Sequence, residues 1–153
     1  MRKVSELINL PIINLTSGIQ ITKVTNVILN ADNDILEGFI CDNKLLPLEK
    51  IKNIGKDAIM VEANDIALLL EPMNAHVNAP LFLPNYIENT PIVTEQGKYI
   101  GIIGDVLVES NTGKIIGYEV SDGLLKDLVK GRSIITVSQI ITYGEDAIVI
   151  NDD

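Results

Sequence analysis

GKYIGIIGDVLVESNTGKIIGYEV, residues 97–120, decides how the chain folds, because residues 18–41, GIQITKVTNVILNADNDILEGFIC, are an earlier version of it. The two superpose without a gap at an offset of 79 (97 minus 18). Ile21 falls on Ile100, Val27 on Val106, Leu36 on Ile115, Gly38 on Gly117, Phe39 on Tyr118 and Cys41 on Val120. Self-similarity at a fixed spacing marks an internal duplication. Each version reads as two apolar strands joined by a hairpin turn, at 30–34 and at 109–113. Gly113 suits the left-handed position that closes such a turn, and Asp34 must adopt it in the first copy. Gly38 and Gly117, inside the return strands, mark a sharp bend or a close backbone approach, as at a barrel corner. Asn26 and Asp105 interrupt the apolar run at the same place, where a short polar side chain bonds nearby backbone or marks a bulge.

The likeness continues outward. Ser5 is placed to cap a short helical turn, SELIN, before Pro11, as Asn85 is to open NYIEN before Pro91, at an offset of 80 (85 minus 5). The prolines then lead strands, followed by turns at 16–18 and 95–97. Downstream, IGKDAIMV (54–61) and YGEDAIVI (143–150) match at an offset of 89 (144 minus 55), each a Gly-x-Asp-Ala turn into a last strand. The second copy therefore carries ten extra residues (89 minus 79), within DGLLKDLVKGR, 122–132. Leu124, Leu125, Leu128 and Val129 recur there at helical spacing, between a capping Asp122 and a terminating Gly131, so a short amphipathic helix is predicted over 122–131. The division that follows is a first domain at 1–63, an apolar, proline-containing connection at 64–83 and a second domain at 84–153. The connection holds IALLL, readable as helix or strand, and its length argues that Leu68, Leu69, Leu70, Phe82 and Leu83 pack between the domains.

Composition bounds the rest. Of 153 residues 46% are hydrophobic but only 4% aromatic, with no Trp, so the cores are built from Ile, Val and Leu, which suit pleated surfaces. A formal charge of -9 argues against a nucleic-acid surface, which needs clustered Lys and Arg, and favours a basic partner. No basic, apolar leader follows Met1 and no uncharged run reaches the length of a bilayer span, so a cytoplasmic protein without membrane insertion is expected. The single cysteine, Cys41, fits a reducing compartment.

The order of short helical turn, proline-led strand, glycine turn, apolar strand, hairpin, strand with interior Gly, then IGKDAIMV or YGEDAIVI, resembles the PRC-barrel domain. That small β-barrel is found in the H subunit of photosynthetic reaction centres and at the C-terminal end of the ribosome maturation factor RimM. The resemblance implies an all-β chain of two tandem small antiparallel barrels, with the helix inserted in the second, that binds other proteins. Residues 1–153 show neither the H subunit's membrane helix nor the maturation factor's separate N-terminal barrel, so neither function is expected to transfer. Barrels of roughly 65–70 residues have little core of their own, so the two are expected to dock about an approximate two-fold axis.

No residue pattern points to chemistry. Cys41 shares the face of Phe39 and is matched by Val120, as a buried small hydrophobe would be. His76 is the only histidine and lacks a Cys or carboxylate pair for a zinc site or a triad. Asn30, Asp32 and Asp34 imitate the start of a calcium loop, but Ile35 stands where glycine is needed and Cys41 where a bidentate glutamate is. The second copy has Glu109, Asn111 and Gly113 instead. Gly97, Gly101 and Gly104 have the wrong spacing for a phosphate loop and lie in a hairpin region. The sequon Asn14-Leu15-Thr16 has no meaning without secretion. Asp105, Glu109, Asp127 and Glu145 are scattered. No catalytic residue, metal site or cofactor is therefore expected. The chain reads as a non-catalytic protein-binding or scaffold module, with self-association open. The alternative is a small-ligand or cofactor-binding protein using a groove between barrels lined by Phe82, Tyr86 and Tyr118.

Overall fold

The structure is a computed structural model that describes residues 1–30, 34–63, 69–72, 81–82, 89–121 and 133–151. The predicted helix over 122–131, the turn opened by Asn85, and Leu68, Leu83, His76 and Tyr86 lie outside the described residues. In the first copy β1 (Arg2–Lys3) precedes β2 (Pro11–Asn14), β3 (Gln20–Lys23), β4 (Asn26–Asn30), β5 (Ile35–Cys41), β6 (Lys44–Pro47), β7 (Ile51–Ile54) and β8 (Ile59–Val61). β9 (Glu71–Pro72) lies in the connection, and β10 (Leu81–Phe82) is the first strand of the second copy. The second copy contributes β11 (Pro91–Thr94), β12 (Tyr99–Val108), β13 (Ile115–Ser121), β14 (Ile134–Thr136), β15 (Ile140–Tyr143) and β16 (Ile148–Ile150). Single 3-10 turns, Val4–Glu6, Leu48–Lys50 and Val137–Gln139, are the remaining regular structure described. Among the described residues the fold is all-β, as the aliphatic composition favours.

Three expectations need correction. The pairing is not wholly antiparallel, because β2 runs parallel to β8 and β11 parallel to β16. These are the first and last long strands of each copy, and the elements between them supply the crossover that a parallel pair needs. The hydrogen-bonded orders are open: β14-β13-β12-β11-β16-β15 in the second copy, and β3-β2-β8-β7 with β10-β4-β5-β6-β9 in the first. β12 runs unbroken through a bulge between Ile103 and Asp105, whereas its counterpart divides into β3 and β4 at Val24-Thr25. There Thr25 turns both its N–H and its Oγ1 onto the Ile40 carbonyl, at 2.7 and 2.9 Å, and Gly104 at the matching position has no side chain with which to do so. Finally, Ser5 does not cap the first turn. Lys3 stands at the cap, its N–H bonded to Glu6 Oε1 at 2.8 Å, because a single 3-10 turn from Val4 to Glu6 is all that forms there.

Turn chemistry follows the sequence closely. Asp34 and Gly113 are left-handed, with φ of 50° and 77°. Asn26 and Asp105 each accept the next residue's backbone N–H, at 2.9 and 2.8 Å. A Cβ on Gly38 would meet the Leu46 carbonyl and one on Gly117 the Ile135 carbonyl, so both glycines mark close backbone approach. The Gly-x-Asp-Ala turns close in the same way, Gly55 N–H on Ala58 O at 2.8 Å and Gly144 N–H on Ala147 O at 3.0 Å. A further turn joins β5 to β6, where Asp42 and Asn43 are both left-handed (φ 48° and 68°) between the paired Cys41 and Lys44. That two-residue hairpin occupies the place of the second copy's ten-residue insertion.

The copies are related by a local two-fold axis, and their hydrogen bonds record it. Ile35 bridges Lys114, its own equivalent at the offset of 79 (114 minus 35), and the flanking bonds are Leu36 N–H to Gly113 O at 2.6 Å and Ile115 N–H to Asp34 O at 2.8 Å. Each is the other's image, as an isologous contact demands. The first strands are exchanged in the same sense. Arg2 of β1 pairs with Val108 of β12, and Phe82 of β10, its equivalent at 80 (82 minus 2), pairs with Leu29 of β4. Val27, Leu29, Leu36 and Phe39 of the first copy and Val106, Val108, Ile115 and Tyr118 of the second belong to one contiguous buried cluster, which Leu69 of the connection joins. Ile28, Ile40 and Leu45 form a small cluster apart from it.

Candidate binding groove at the junction of the copies

The hairpin tip of the second copy rests on the first. Gly113 sits so close to Leu48 and Leu36 that a Cβ there would run into Leu48 Cδ2. Beside this contact lies a solvent-open groove of about 400 Å³, lined by Ile35, Leu36 and Glu37 of β5, Pro47, Leu48, Glu49 and Ile51 of the β6–β7 corner, and Asn111 of the second hairpin. Leu36 and Pro47 are buried, and Ile35, Leu48 and Ile51 are half-buried, so five of the eight lining residues are apolar, while the groove's exposed surface is about as polar as it is apolar. Glu37 accepts a 2.9 Å bond from Nδ2 of the buried Asn30, which holds its carboxylate in place. Glu49 is exposed. Among the described residues neither carboxylate forms an ion pair. A second groove, about 410 Å³, is lined by Thr16, Glu49, Lys50, Ile51, Lys52, Glu62 and Ala63. Its lysines already have acidic partners, Lys50 with Glu71 at 3.1 Å and Lys52 with Glu62 at 3.7 Å.

The residues weighed from sequence are not brought together. Cys41 is buried, and burial, helped by Asp42, pushes its thiol up to about 12, so it stays a neutral packing group at ordinary pH. Asn30 turns to Glu37 while Asp34 accepts a 3.3 Å bond from the Tyr143 hydroxyl, and Asp32 is outside the described residues. Glu109 accepts the Asn111 N–H at 2.9 Å within its own turn, Glu145 is exposed, and Asp127 is outside the described residues. Asp105 reaches the other copy, accepting the Ser5 N–H at 3.3 Å and the Ser5 hydroxyl. Gly97 lies in a turn, and Gly101 and Gly104 lie in β12.

Tyr118, expected to line a ligand groove, is fully buried. Its hydroxyl meets that of Tyr143 at 3.0 Å, and the rings stand edge to face, 6.1 Å apart. Tyr143 and Asp34, both half-buried, thus extend a hydrogen-bonded chain from Tyr118 across the copies. Burial first, then the neighbouring Tyr143, raises the Tyr118 pKa, and burial pushes Tyr143 up to about 12. Phe82 pairs with Leu29 through its backbone, and Tyr86 is outside the described residues.

Sequence reasoning passed over Glu37 and Glu49, though the signal was in the overlay of the copies. Leu36, Leu48 and Ile51 are matched by Ile115, Val137 and Ile140, whereas Glu37 and Glu49 are matched by Ile116 and Ser138. Three of the aliphatic positions are common to both copies, Ile35 and Pro47 are matched by Lys114 and Thr136, and the acidic ones belong to the first copy alone.

Comparison with known families gives the same architecture. The PRC-barrel domain matches residues 1–67 and again 81–153, so the chain belongs to the PRC-barrel family as a tandem pair. No curated protein matches the chain. No helix among the described residues is long and apolar enough to cross a membrane.

Proposed function

We propose that the chain is a non-catalytic module that binds a protein partner through the junction of its two barrels. The observation that carries this reading is the open groove of mixed apolar and polar lining beside the Gly113 contact, with two carboxylates that no cation of the described chain engages. Small-molecule sites enclose most of their ligand, whereas an open trough suits a chain segment lying across it. The alternative of a small ligand between the barrels loses support because Tyr118, one of its proposed lining residues, is core.

The test is affinity capture with the full chain immobilised, followed by reconstitution with the purified partner and calorimetry. A stoichiometric complex that survives purification is expected. Failure to retain any partner across several lysate conditions, or capture that does not reconstitute, would overturn the reading.

A further inference from the structure

We infer that the occupant of the groove is a basic, leucine-rich segment of the partner, its aliphatic side chains on Ile35, Leu48 and Ile51 and its Lys or Arg heads on Glu37 and Glu49. This rests on the protein-binding reading above and names the surface and the chemistry of the partner.

Three observations converge. Ile35, Leu48 and Ile51 give the groove apolar patches beside its carboxylates, so it suits a segment that carries both apolar anchors and cations. Among the described residues its two carboxylates form no ion pair, while Lys50 next to Glu49 is engaged by Glu71 and Lys114, bridged to Ile35, is not part of the lining. The whole chain carries a formal charge of -9, so the surrounding field draws a cationic segment inward and repels an acidic one.

The duplication supplies an internal control. Groove positions that serve the fold should be alike in both copies, and Leu36, Leu48 and Ile51 have aliphatic equivalents, whereas Ile35 and Pro47, matched by Lys114 and Thr136, belong with the features of the first copy alone. Glu37 and Glu49 break the likeness, with Ile116 and Ser138 as their equivalents. The first copy therefore carries an acidic surface that the shared fold does not require. Asn30 strengthens the point, since a wholly buried side-chain amide is used to orient the Glu37 carboxylate.

The probe is a fluorescent ten-residue peptide of alternating Lys and Leu, with a Glu-for-Lys version as its mirror, titrated into the full chain at about 0.15 M salt. Amide chemical-shift changes are expected at Ile35, Leu36, Leu48 and Ile51. Each surface charge pair contributes little alone, so Glu49→Lys should weaken binding about threefold and Glu37→Lys with Glu49→Lys on the order of tenfold or more. Glu95→Lys with Asp146→Lys changes the net charge equally at exposed sites on the other copy and should change binding less than twofold. Glu49 is exposed, so the single variant keeps the test valid if changing Glu37 harms folding.

Equal losses from both double variants would reduce the effect to net charge and overturn the inference. So would shift changes confined to another face, or equal binding of the acidic peptide. A homodimer, seen by light scattering, that Glu49→Lys dissolves would make the occupant a second copy of this chain and overturn it too. If a natural partner is captured and Glu37→Lys with Glu49→Lys binds it as tightly as the parent chain, the groove is wrong and the protein-binding reading stands. If no form of the chain captures anything, that reading falls and takes this one with it.

Discussion

Tyr143, half-buried, occupies the middle of a polar chain that runs from the fully buried Tyr118 to Asp34, and its two neighbours depend on it unequally. Tyr118 donates to or accepts from Tyr143 alone among the described groups, while Tyr143 also reaches Asp34 at 3.3 Å. Removing the Tyr143 hydroxyl leaves a fully buried phenol without a partner, which costs about 1–3 kcal/mol, whereas Tyr118→Phe removes both the bond and the stranded group and should cost about 1 kcal/mol or less. Phe39 already occupies the equivalent place in the first copy. Urea unfolding of Tyr143→Phe, Tyr118→Phe and the pair should therefore rank the first as worst and show the double variant partly restored. Equal losses would mean that the hydroxyl chain has no energetic role. The same burial sets an alkaline limit. Tyr143 is raised from 10.0 to about 12 and Cys41 from 9.0 to about 12, while the unfolded chain ionises at the ordinary values. Raised acids remain neutral in the fold, so their contribution is complete below pH 9 and is lost as pH climbs toward 12. Thermal melts at rising pH should fall across that window. Replacing Cys41 by Val, its equivalent in the second copy, should move the onset of the fall from near pH 9 toward pH 10.

At the scale of the element, the glycine of each return strand is fixed by its neighbour's backbone. A Cβ at Gly117 would strike the Ile135 carbonyl of β14, and one at Gly38 the Leu46 carbonyl of β6, where no side chain can swing aside. Gly117→Ala and Gly38→Ala should each destabilise by about 2 kcal/mol through forced strand separation, with accelerated hydrogen exchange at Ile135 or Leu46 reporting the site. Protection unchanged at those amides would contradict the account. This feature was legible from sequence because the chain writes it twice, and so were the left-handed Asp34 and Gly113 and the backbone bonds of Asn26 and Asp105. All of these are local: a turn or a strand position dictates them whatever lies across the sheet. The parallel pairing of β2 with β8, and the bond from Asp105 to Ser5 a hundred residues away, depend on which strands meet, and a single sequence does not encode that in its periodicity. The groove was hidden for the same reason. Its walls are spaced over β5, the β6–β7 corner and the other copy's hairpin, and the overlay marks it through the mismatches of Ile35 with Lys114, Glu37 with Ile116 and Glu49 with Ser138.

For the whole molecule, the exchanged first strands decide what a domain is. Residues 1–67 and 81–153 each match the family, yet β1 of the first match pairs with β12 of the second, and β10, at the start of the second, pairs with β4 of the first. Arg2 ties the exchange down by donating to the Gly55 carbonyl at 2.6 Å and the Lys56 carbonyl at 3.2 Å, so β1 lies against the second copy while its side chain grips the first. Lys3 meets the nearly buried Glu119 at 3.0 Å from the same strand. A lone copy would expose the edge of its long hairpin and half of a shared aliphatic core, which a chain of about 70 residues can ill spare. Expressed alone, residues 81–153 should therefore either fail to give a cooperative unfolding transition or pair with a second molecule of themselves. Pairing would restore the Ile35 to Lys114 bridge as Lys114 to Lys114, bringing like charges together and making the dimer weaker at low salt than at high. Sedimentation at two salt concentrations reads this directly. A monomer with a sharp thermal transition near that of the full chain would show the exchanged strands to be dispensable and each barrel complete in itself.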